Sequence, residues 1–524
     1  MAYAQAKPAM TGSALTFGDL LGDLALQRMS GAHELPIAAV CYDSRQAVPG
    51  SLFVALRGGY TDGHEHLADA RSRGAVAALV ESWSPEVEQF AAAAQVDDTR
   101  AALAQVALRF YRRPGDSLGV VGVTGTDGKT TTTFLLDAIL RQAGLRTGMI
   151  GTVSVRIGDV ITDHDTRQTT PESLEIQHLL AEMRAAAVDW AILEATSHGL
   201  ALHRLDTCPF DIGIVTNITH EHLDFHGSIE AYRRAKARLL EAVDAGADRR
   251  YPRGIVLNAD DAGALAIEAY AGSQPVLRFS VQRPDADIVG RDIVVDSSGT
   301  RFTLQIDQRQ APVHLKLIGD YNVANALAAA GAAYIAGIDL ATIADGLEAL
   351  ESVPGRLARV DEGQPFNVFV DYAHTPDSLE QTMALLRSLH AGRLIVVFGS
   401  AGERDRAKRP VQGAVAAKLA DFSVFTSEDP RFEDPDAIIA EIARGALDAG
   451  AREGVDFVRC EDRQEAVVTA IRAARPGDVV LLAGKGHEQC IIYGAERRPW
   501  DEARAARMAL GSLDRPPVNG MRAE

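Results

Sequence analysis

Cysteine is scarce in this chain and never closely paired. The 524 residues contain only Cys41, Cys208, Cys460 and Cys490, with no C-x-x-C spacing. That excludes a disulfide framework, argues against a structural zinc site, and fits a reducing compartment. Cations are also in deficit, with 53 Lys and Arg against 71 Asp and Glu, a formal net charge of −18. General affinity for nucleic acid or an anionic membrane needs clustered cations, so neither is expected as a partner. No apolar run is long enough to span a bilayer. The first ten residues have neither a basic start nor a long apolar stretch, so a secretion signal is not expected and a cytoplasmic location is. Short repeats and low-complexity tracts are missing too. What remains is the composition of an ordinary globular protein, 47% hydrophobic and 24% charged. Its length calls for several cores rather than one.

The most informative segment is Gly122-Val-Thr-Gly-Thr-Asp-Gly-Lys-Thr-Thr-Thr-Thr133. An apolar run of strand character, Ser117–Val121, precedes it. Phe134–Leu140, apolar at helical spacing, follows. Strand, glycine loop, lysine and hydroxyl at a helix start form a phosphate cradle. Backbone N–H groups from Thr124, Gly125, Thr126, Asp127 and Gly128 can face an anion, Lys129 can reach the outer phosphates, and Thr130, followed by Thr131, can hold Mg²⁺. A strict G-x-x-x-x-G-K-[ST] pattern would need Gly where Val123 stands. A ligand-free tight turn is the competing reading, but packing alone does not explain a Gly-Lys-Thr run after an apolar strand. The segment predicts nucleoside triphosphate binding.

Along the chain, strand-like runs alternate with helical spacing, which predicts an α/β protein. Ile37–Val40, Ser51–Ala55 and Ala75–Val80, with a helix near His66–Arg73, suggest a small domain over 1–115. Val120–Val123, Trp190–Leu193, Ile212–Thr216 and Gly254–Leu257 predict a doubly wound parallel sheet in a nucleotide-binding domain over 116–353. Asp287–Leu317 alternates like an inserted side sheet, ahead of an Ala-rich helix over 323–336. Pro354-Gly355 marks the boundary to a third, Rossmann-like domain over 354–524. Its expected buried strands are Asn367–Val370, Arg393–Phe398, Phe422–Thr426 and Asp478–Leu482.

Glu194 ends the run Trp190–Leu193, at the sheet edge where open α/β folds bind ligands. It can serve Mg²⁺ or simply cap a helix. Thr219-His-Glu-His-Leu-Asp-Phe-His226 is dense in potential ligands, yet its imidazoles suit hydrogen bonding as well as metal. Lys236 on its own reads as a solvated helix lysine. Asn322 and Asn325 flank a helix start and suit either capping or a purine edge.

The loop Thr124–Thr130, including its displaced first glycine, resembles that of the Mur ligases, ATP-dependent amino-acid ligases of cell-wall precursor synthesis. The likeness runs through Asp43-Ser-Arg45, Thr169-Thr-Pro171, Ser197-His-Gly-Leu200, Tyr232-Arg-Arg-Ala-Lys236, Gly319–Asn325 and Pro354-Gly-Arg356. It continues through Val370–Asp377, Asp405–Pro410 and Gly484-Lys-Gly-His-Glu488. It is nearest to the members that extend UDP-N-acetylmuramoyl-L-alanyl-D-glutamate by a third residue. The resemblance implies an acyl-phosphate route. Lys129 would hold the β/γ-phosphates, Thr130 and Glu194 one Mg²⁺, and His222 a second. Lys236 would be carbamylated by CO₂ to support that second metal. Asn325 would meet adenine, and Arg356 and Asp371 would reach triphosphate and ribose from the third domain. Tyr42, Ser44, Gln168, Thr169, Thr170, Thr196 and Arg204 would bind the UDP-muramoyl dipeptide. Arg404, Glu428, Asp429, Pro430, Arg431, Gly484 and Glu488 would bind the diamino acid. A monomer is expected.

The loop Ser427-Glu-Asp-Pro-Arg431 resembles the Asp-Asn-Pro-Arg loop of the meso-diaminopimelate enzymes. A guanidinium at 431 suits the distal carboxylate that lysine lacks. Glu428-Asp429 departs from that pattern and keeps lysine or ornithine open as the added residue. Gln168, Leu202 and Asp127 also stand where the family commonly has Asn, Gln and Asn. Competing readings are a related ligase acting on another carboxylate, a nucleotide-binding partner without turnover, and a simple P-loop ATPase or kinase. Neither of the last two needs His222, Lys236 and the Gly484–Glu488 loop together.

Overall fold

The computed structural model describes residues 15–59, 61–163, 168–246 and 249–513. Among these, one compact unit takes the residues up to Asp292 together with Phe302–Val313 and Val323–Ala349. A second takes Ile293–Arg301, His314–Asn322 and the residues from Leu350 onward.

The first unit contains two sheets. The smaller has five strands in the order Arg28–Gly31, Ala92–Gln95, Ala75–Val80, Ser51–Val54, Ala39–Cys41. All pair in parallel except the Arg28–Gly31 edge. Its parallel strands are short, mostly apolar runs buried on both faces, as parallel sheets with helical crossovers require, whereas the Arg28–Gly31 edge is partly exposed. Phe17, Leu52, Leu79, Leu103 and Phe110 lie in one of its cores.

The larger sheet has a parallel heart in the order Val276–Ser280, Gly254–Asn258, Ile212–Val215, Gly119–Thr124, Trp190–Glu194, Thr147–Ile150. Gly119–Thr124 is therefore flanked by two strands that come later in sequence. Chain direction across the sheet reverses there, and the crevice beyond its C-terminal end is where such sheets bind ligands. The expected side sheet over 287–317 is instead an extension of this one. Ile288 and Val289 pair in parallel with Phe279 and Ser280, and Gly299–Ile306 and Arg309–Leu315 follow in the strand order. An open edge at Val276–Ser280 offers unpaired backbone groups, and the insertion satisfies them.

The second unit carries a six-stranded sheet in the order Ala358–Val360, Asn367–Val370, Val479–Leu482, Leu394–Phe398, Phe422–Phe425, Phe457–Arg459. Only the first strand is antiparallel. Gly355, with φ of +71°, lies within this unit, whose last segment begins at Leu350. A two-stranded hairpin, Cys490–Tyr493 and Glu496–Pro499, stands apart from the sheet.

Candidate active site

The fully buried strand Gly119–Thr124 delivers the glycine loop to the start of helix Lys129–Gln142. Two glycines are required by close approach. A Cβ at Gly125 would lie 1.8 Å from Thr216 Oγ1, and one at Gly128, where φ is +82°, would lie 2.2 Å from Asn325 Oδ1. The loop is pinned through its backbone: Asp127 N–H donates to Asn217 Oδ1 (2.9 Å), and Thr216 Oγ1 donates to Asp127 O (2.5 Å). The Asp127 side chain is exposed, so aspartate here leaves the loop path intact. Lys129 Nζ donates back to Gly125 O (2.9 Å) and Thr126 O (2.7 Å). Thr124 and Thr131 are buried, and Thr126 Oγ1 bonds the Tyr232 hydroxyl at 3.0 Å.

Beneath the loop, Thr130 Oγ1 donates to Glu194 Oε2 (3.1 Å), and Thr152 donates to both oxygens of the same carboxylate, from Oγ1 (2.8 Å) and from N–H (3.0 Å). Thr130 and Glu194 are 5% and 2% exposed. Two buried oxygen groups at a phosphate loop form a donor set of the kind Mg²⁺ takes. Sequence reasoning missed Thr152, which had no motif to mark it.

Lys236 lies on the inner face of helix Ile229–Ala245, 1% exposed, so the solvated-lysine reading fails. Its Nζ donates to Gly125 O (2.7 Å) and sits 4.5 Å from the Tyr232 ring centroid. Burial first, and the Lys129 charge second, hold its ammonium well below the usual lysine range. His222 is exposed, with φ of +55°, and packs edge-on against His198 with ring centroids 4.7 Å apart. Burial, reinforced by the neighbouring imidazoles, lowers the His198 pKa to about 4. Among the described residues no three His, Cys, Asp or Glu side chains are grouped to hold a metal ion. A site at His222 therefore needs ligands from elsewhere.

On the acceptor side, Thr170 Oγ1 donates to Glu194 O (2.8 Å) and bonds Thr196 Oγ1 (2.9 Å), while Thr169 Oγ1 bonds Thr152 Oγ1 (2.9 Å). Arg204 donates to Thr170 O (2.9 Å) and pairs with Glu172 (2.8 Å), which also pairs with Arg100 (2.9 Å). Gln168 is exposed. Tyr42 donates its hydroxyl to Glu175 Oε1 (2.8 Å), joining the smaller sheet's domain to the P-loop domain. Burial raises the Glu175 carboxyl to about 7 and the Tyr42 phenol upward as well. Ser44 is buried and hydrogen-bonded to Asp69. Asn325, 8% exposed, lies 3.5 Å from Thr132 Oγ1.

In the second unit Asp371 accepts from the N–H groups of Leu357 (2.7 Å) and Ala373 (2.8 Å), and Arg356 stacks over Tyr372. Asn322, in the first turn of helix Tyr321–Ile335, donates from its side-chain amide to Ile318 O (2.9 Å). Loop Ser427–Arg431 follows strand Phe422–Phe425. Lys485, wholly buried, donates to Asp429 Oδ1 (3.0 Å) and to Glu488, so both carboxylates share one internal cation. Glu428 differs: burial raises its carboxyl to about 7, and its Oε2 has no hydrogen-bond partner. Arg431 also keeps a buried, unpartnered Nε, while its backbone N–H is held by Ile492 O (2.9 Å). Pro430 is buried, Arg404 is exposed, and Gly484, with φ of +97°, approaches Glu428 too closely to carry a side chain freely. The sequence had marked the Gly484–Glu488 run, but not Lys485 as its internal counter-charge.

Comparison with known proteins matches three family models in order: "Mur ligase family, catalytic domain" over residues 36–111, "Mur ligase middle domain" over 123–333, and "Mur ligase, glutamate ligase domain" over 355–486. A UDP-N-acetylmuramyl-tripeptide synthetase of Roseiflexus sp. is 47% identical over 91% of this chain and 95% of its own length. The UDP-N-acetylmuramoyl-L-alanyl-D-glutamate–2,6-diaminopimelate ligase of Geobacter metallireducens is 40% identical over 92% and 96%. A solved structure of a ligase with that same name superposes with a TM-score of 0.67 at 30% identity, covering 96% of this chain and all of the other. Among the described residues no helix is long and apolar enough to cross a membrane. With three domain matches in family order and close relatives along nearly its whole length, this chain belongs to the Mur ligases, the ATP-dependent amino-acid ligases of peptidoglycan precursor synthesis.

Proposed function

We propose that the chain joins meso-2,6-diaminopimelate to the D-glutamate carboxylate of UDP-N-acetylmuramoyl-L-alanyl-D-glutamate, as the names of its relatives describe for them. The observation that carries the amine substrate is the loop Ser427–Arg431. It keeps one buried carboxylate oxygen, on Glu428, and one buried guanidinium N–H, on Arg431, without partners. Buried polar groups left open in this way are complementary to an ammonium and a carboxylate arriving together. Lys129 neutralises the outer phosphates as the γ-phosphoryl group passes to the acceptor carboxylate, giving an acyl phosphate and ADP. The amine then attacks the acyl carbon, phosphate leaves, and the nitrogen gives up a proton. Thr170, Thr196 and Arg204 orient the dipeptide, Asn325 meets adenine, and Arg356 and Asp371 contribute to nucleotide binding. Thr130 and Glu194 would hold Mg²⁺, which when bound offsets phosphate charge.

Lys236, whose buried ammonium is held well below the usual lysine range by burial and by the Lys129 charge, is suited to lose its proton, take up CO₂ and become a carbamate. That carbamate would supply the oxygen ligands His222 lacks for a second Mg²⁺. The enzyme acts in the cytoplasm, since ATP and a UDP-linked acceptor are cytoplasmic metabolites. Phosphate release from ATP, measured with the UDP-dipeptide and each of diaminopimelate, lysine and ornithine, tests the reading. Release dependent on diaminopimelate is expected. Equal release without any amine would leave an ATPase. Preference for lysine or ornithine, which the Glu428-Asp429 departure keeps open, would replace the amine assigned here.

A further inference from the structure

The two largest fully buried side chains of the second unit are arginines, Arg409 and Arg463. Arg409 pairs with Glu433 and Glu441 around the Arg404 loop. Arg463 does something different. It opens helix Arg463–Ala473, and Glu502 opens helix Glu502–Gly511. Both side chains are wholly buried and meet as a two-pronged pair, Nε to Oε2 at 2.9 Å and Nη2 to Oε1 at 2.8 Å. Trp500 Nε1 donates to Glu502 Oε2 at 2.5 Å and fixes the carboxylate from the other side. Two further guanidinium N–H groups go to backbone carbonyls, Nη1 to Ser427 O (3.0 Å) and Nη2 to Ala483 O (2.7 Å).

Those carbonyls begin the two loops of the amine site. Ser427 precedes Glu428–Arg431, and Ala483 precedes Gly484–Glu488. The loops leave strands Phe422–Phe425 and Val479–Leu482, which are not neighbours, because Leu394–Phe398 runs between them. Backbone pairing therefore does not fix one loop against the other at this point. Side chains do: Lys485 reaches Asp429 across the two loops, and the planar guanidinium of Arg463, with donors in a fixed fork, holds the carbonyls at which both loops start. A buried ion pair is a poor device for stability alone, because desolvation offsets its attraction. Its use here is geometric.

We infer that Arg463, held by Glu502 and Trp500, is a positioning residue that sets the spacing between the Glu428–Arg431 and Gly484–Glu488 loops and so governs binding of the diamino acid. This rests on the amine-site reading above. It also gives the helix Glu502–Gly511 a part in amine recognition although none of its residues is assigned to substrate.

Two variants test it. R463M/E502L removes both charges together while keeping apolar bulk, a replacement that buried ion pairs commonly tolerate. R463K keeps a cation beside Glu502 but lacks the fork that reaches both carbonyls. In each, KM for the diamino acid should rise by about tenfold or more, since misplacement by about 1 Å costs up to roughly 100-fold. KM for ATP and for the UDP-dipeptide should hold, as should amine-independent ATP–ADP exchange through the acyl phosphate. An unchanged amine KM in R463K, or a parallel rise in all three KM values, overturns the inference. Wild-type enzyme assayed alongside separates the two readings. If its phosphate release depends on the amine and the variants match it, only the role of Arg463 falls. If wild type ignores every amine, the amine site itself falls and this inference with it. Should the double variant not fold, R463K carries the test.

Discussion

Lys129 and Lys236 donate to the same carbonyl oxygen, that of Gly125, at 2.9 and 2.7 Å. Two ammonium groups converging on one oxygen repel each other, and Lys236 is the buried member. The proton is therefore easier to lose there, which leaves a lone pair able to attack CO₂. Lys236→Ala is expected to lower turnover by at least about 100-fold, the scale of losing a positioned electrostatic group. Formate or acetate should partly restore it by occupying the vacated space as a carboxylate. Full activity in the unrescued variant would reject the carbamate role.

Gly128 and Asn325 make a second constraint that can be tested separately. Alanine at 128 would be strained by its positive φ and would place Cβ 2.2 Å from Asn325 Oδ1. G128A should lose about 1–3 kcal/mol of stability and most ATP affinity, read by thermal unfolding with and without nucleotide. An ATP-induced shift in melting temperature equal to that of wild type would contradict the close packing of loop and helix.

Glu428 gives the amine site a pH signature. Burial raises its carboxyl to about 7, against the opposing pull of Lys408, Lys485 and Arg463. Below that pH the group is protonated and cannot pair with an ammonium; above it the carboxylate is present. kcat/KM for the diamino acid should therefore rise with pH through about 7. In E428Q this inflection should vanish, and KM should be higher at alkaline pH. Deprotonation of the attacking amine also favours high pH, so the difference between wild type and variant is the quantity that decides. An identical profile for the two would remove Glu428 from the site.

Much of the fold follows from local pattern. Asn367–Val370 and Ala75–Val80 form strands with the boundaries their apolar runs suggest, and the P-loop announces itself because glycine, lysine and threonine must sit in that order for steric and electrostatic reasons. Short edge strands such as Arg28–Gly31 and Ala358–Val360 were not legible, since polar residues alternate there without a period of their own. The alternation over Asp287–Leu317 makes a strand-rich insertion legible in the sequence. Which sheet it would join depends on a free edge that no local pattern encodes.

The site divides along the same line. Composition, glycine placement and motif order determined by themselves that this chain binds a nucleotide and which residues carry charge, because those properties reside in single side chains and short spacings. Only the tertiary structure decided that Lys236 is buried against Gly125 O, that Lys485 engages Asp429 and Glu488, and that Arg463 gathers two loops onto one guanidinium. Burial and long-range hydrogen bonding arise from segments many residues apart, and they set the protonation and reach of each group.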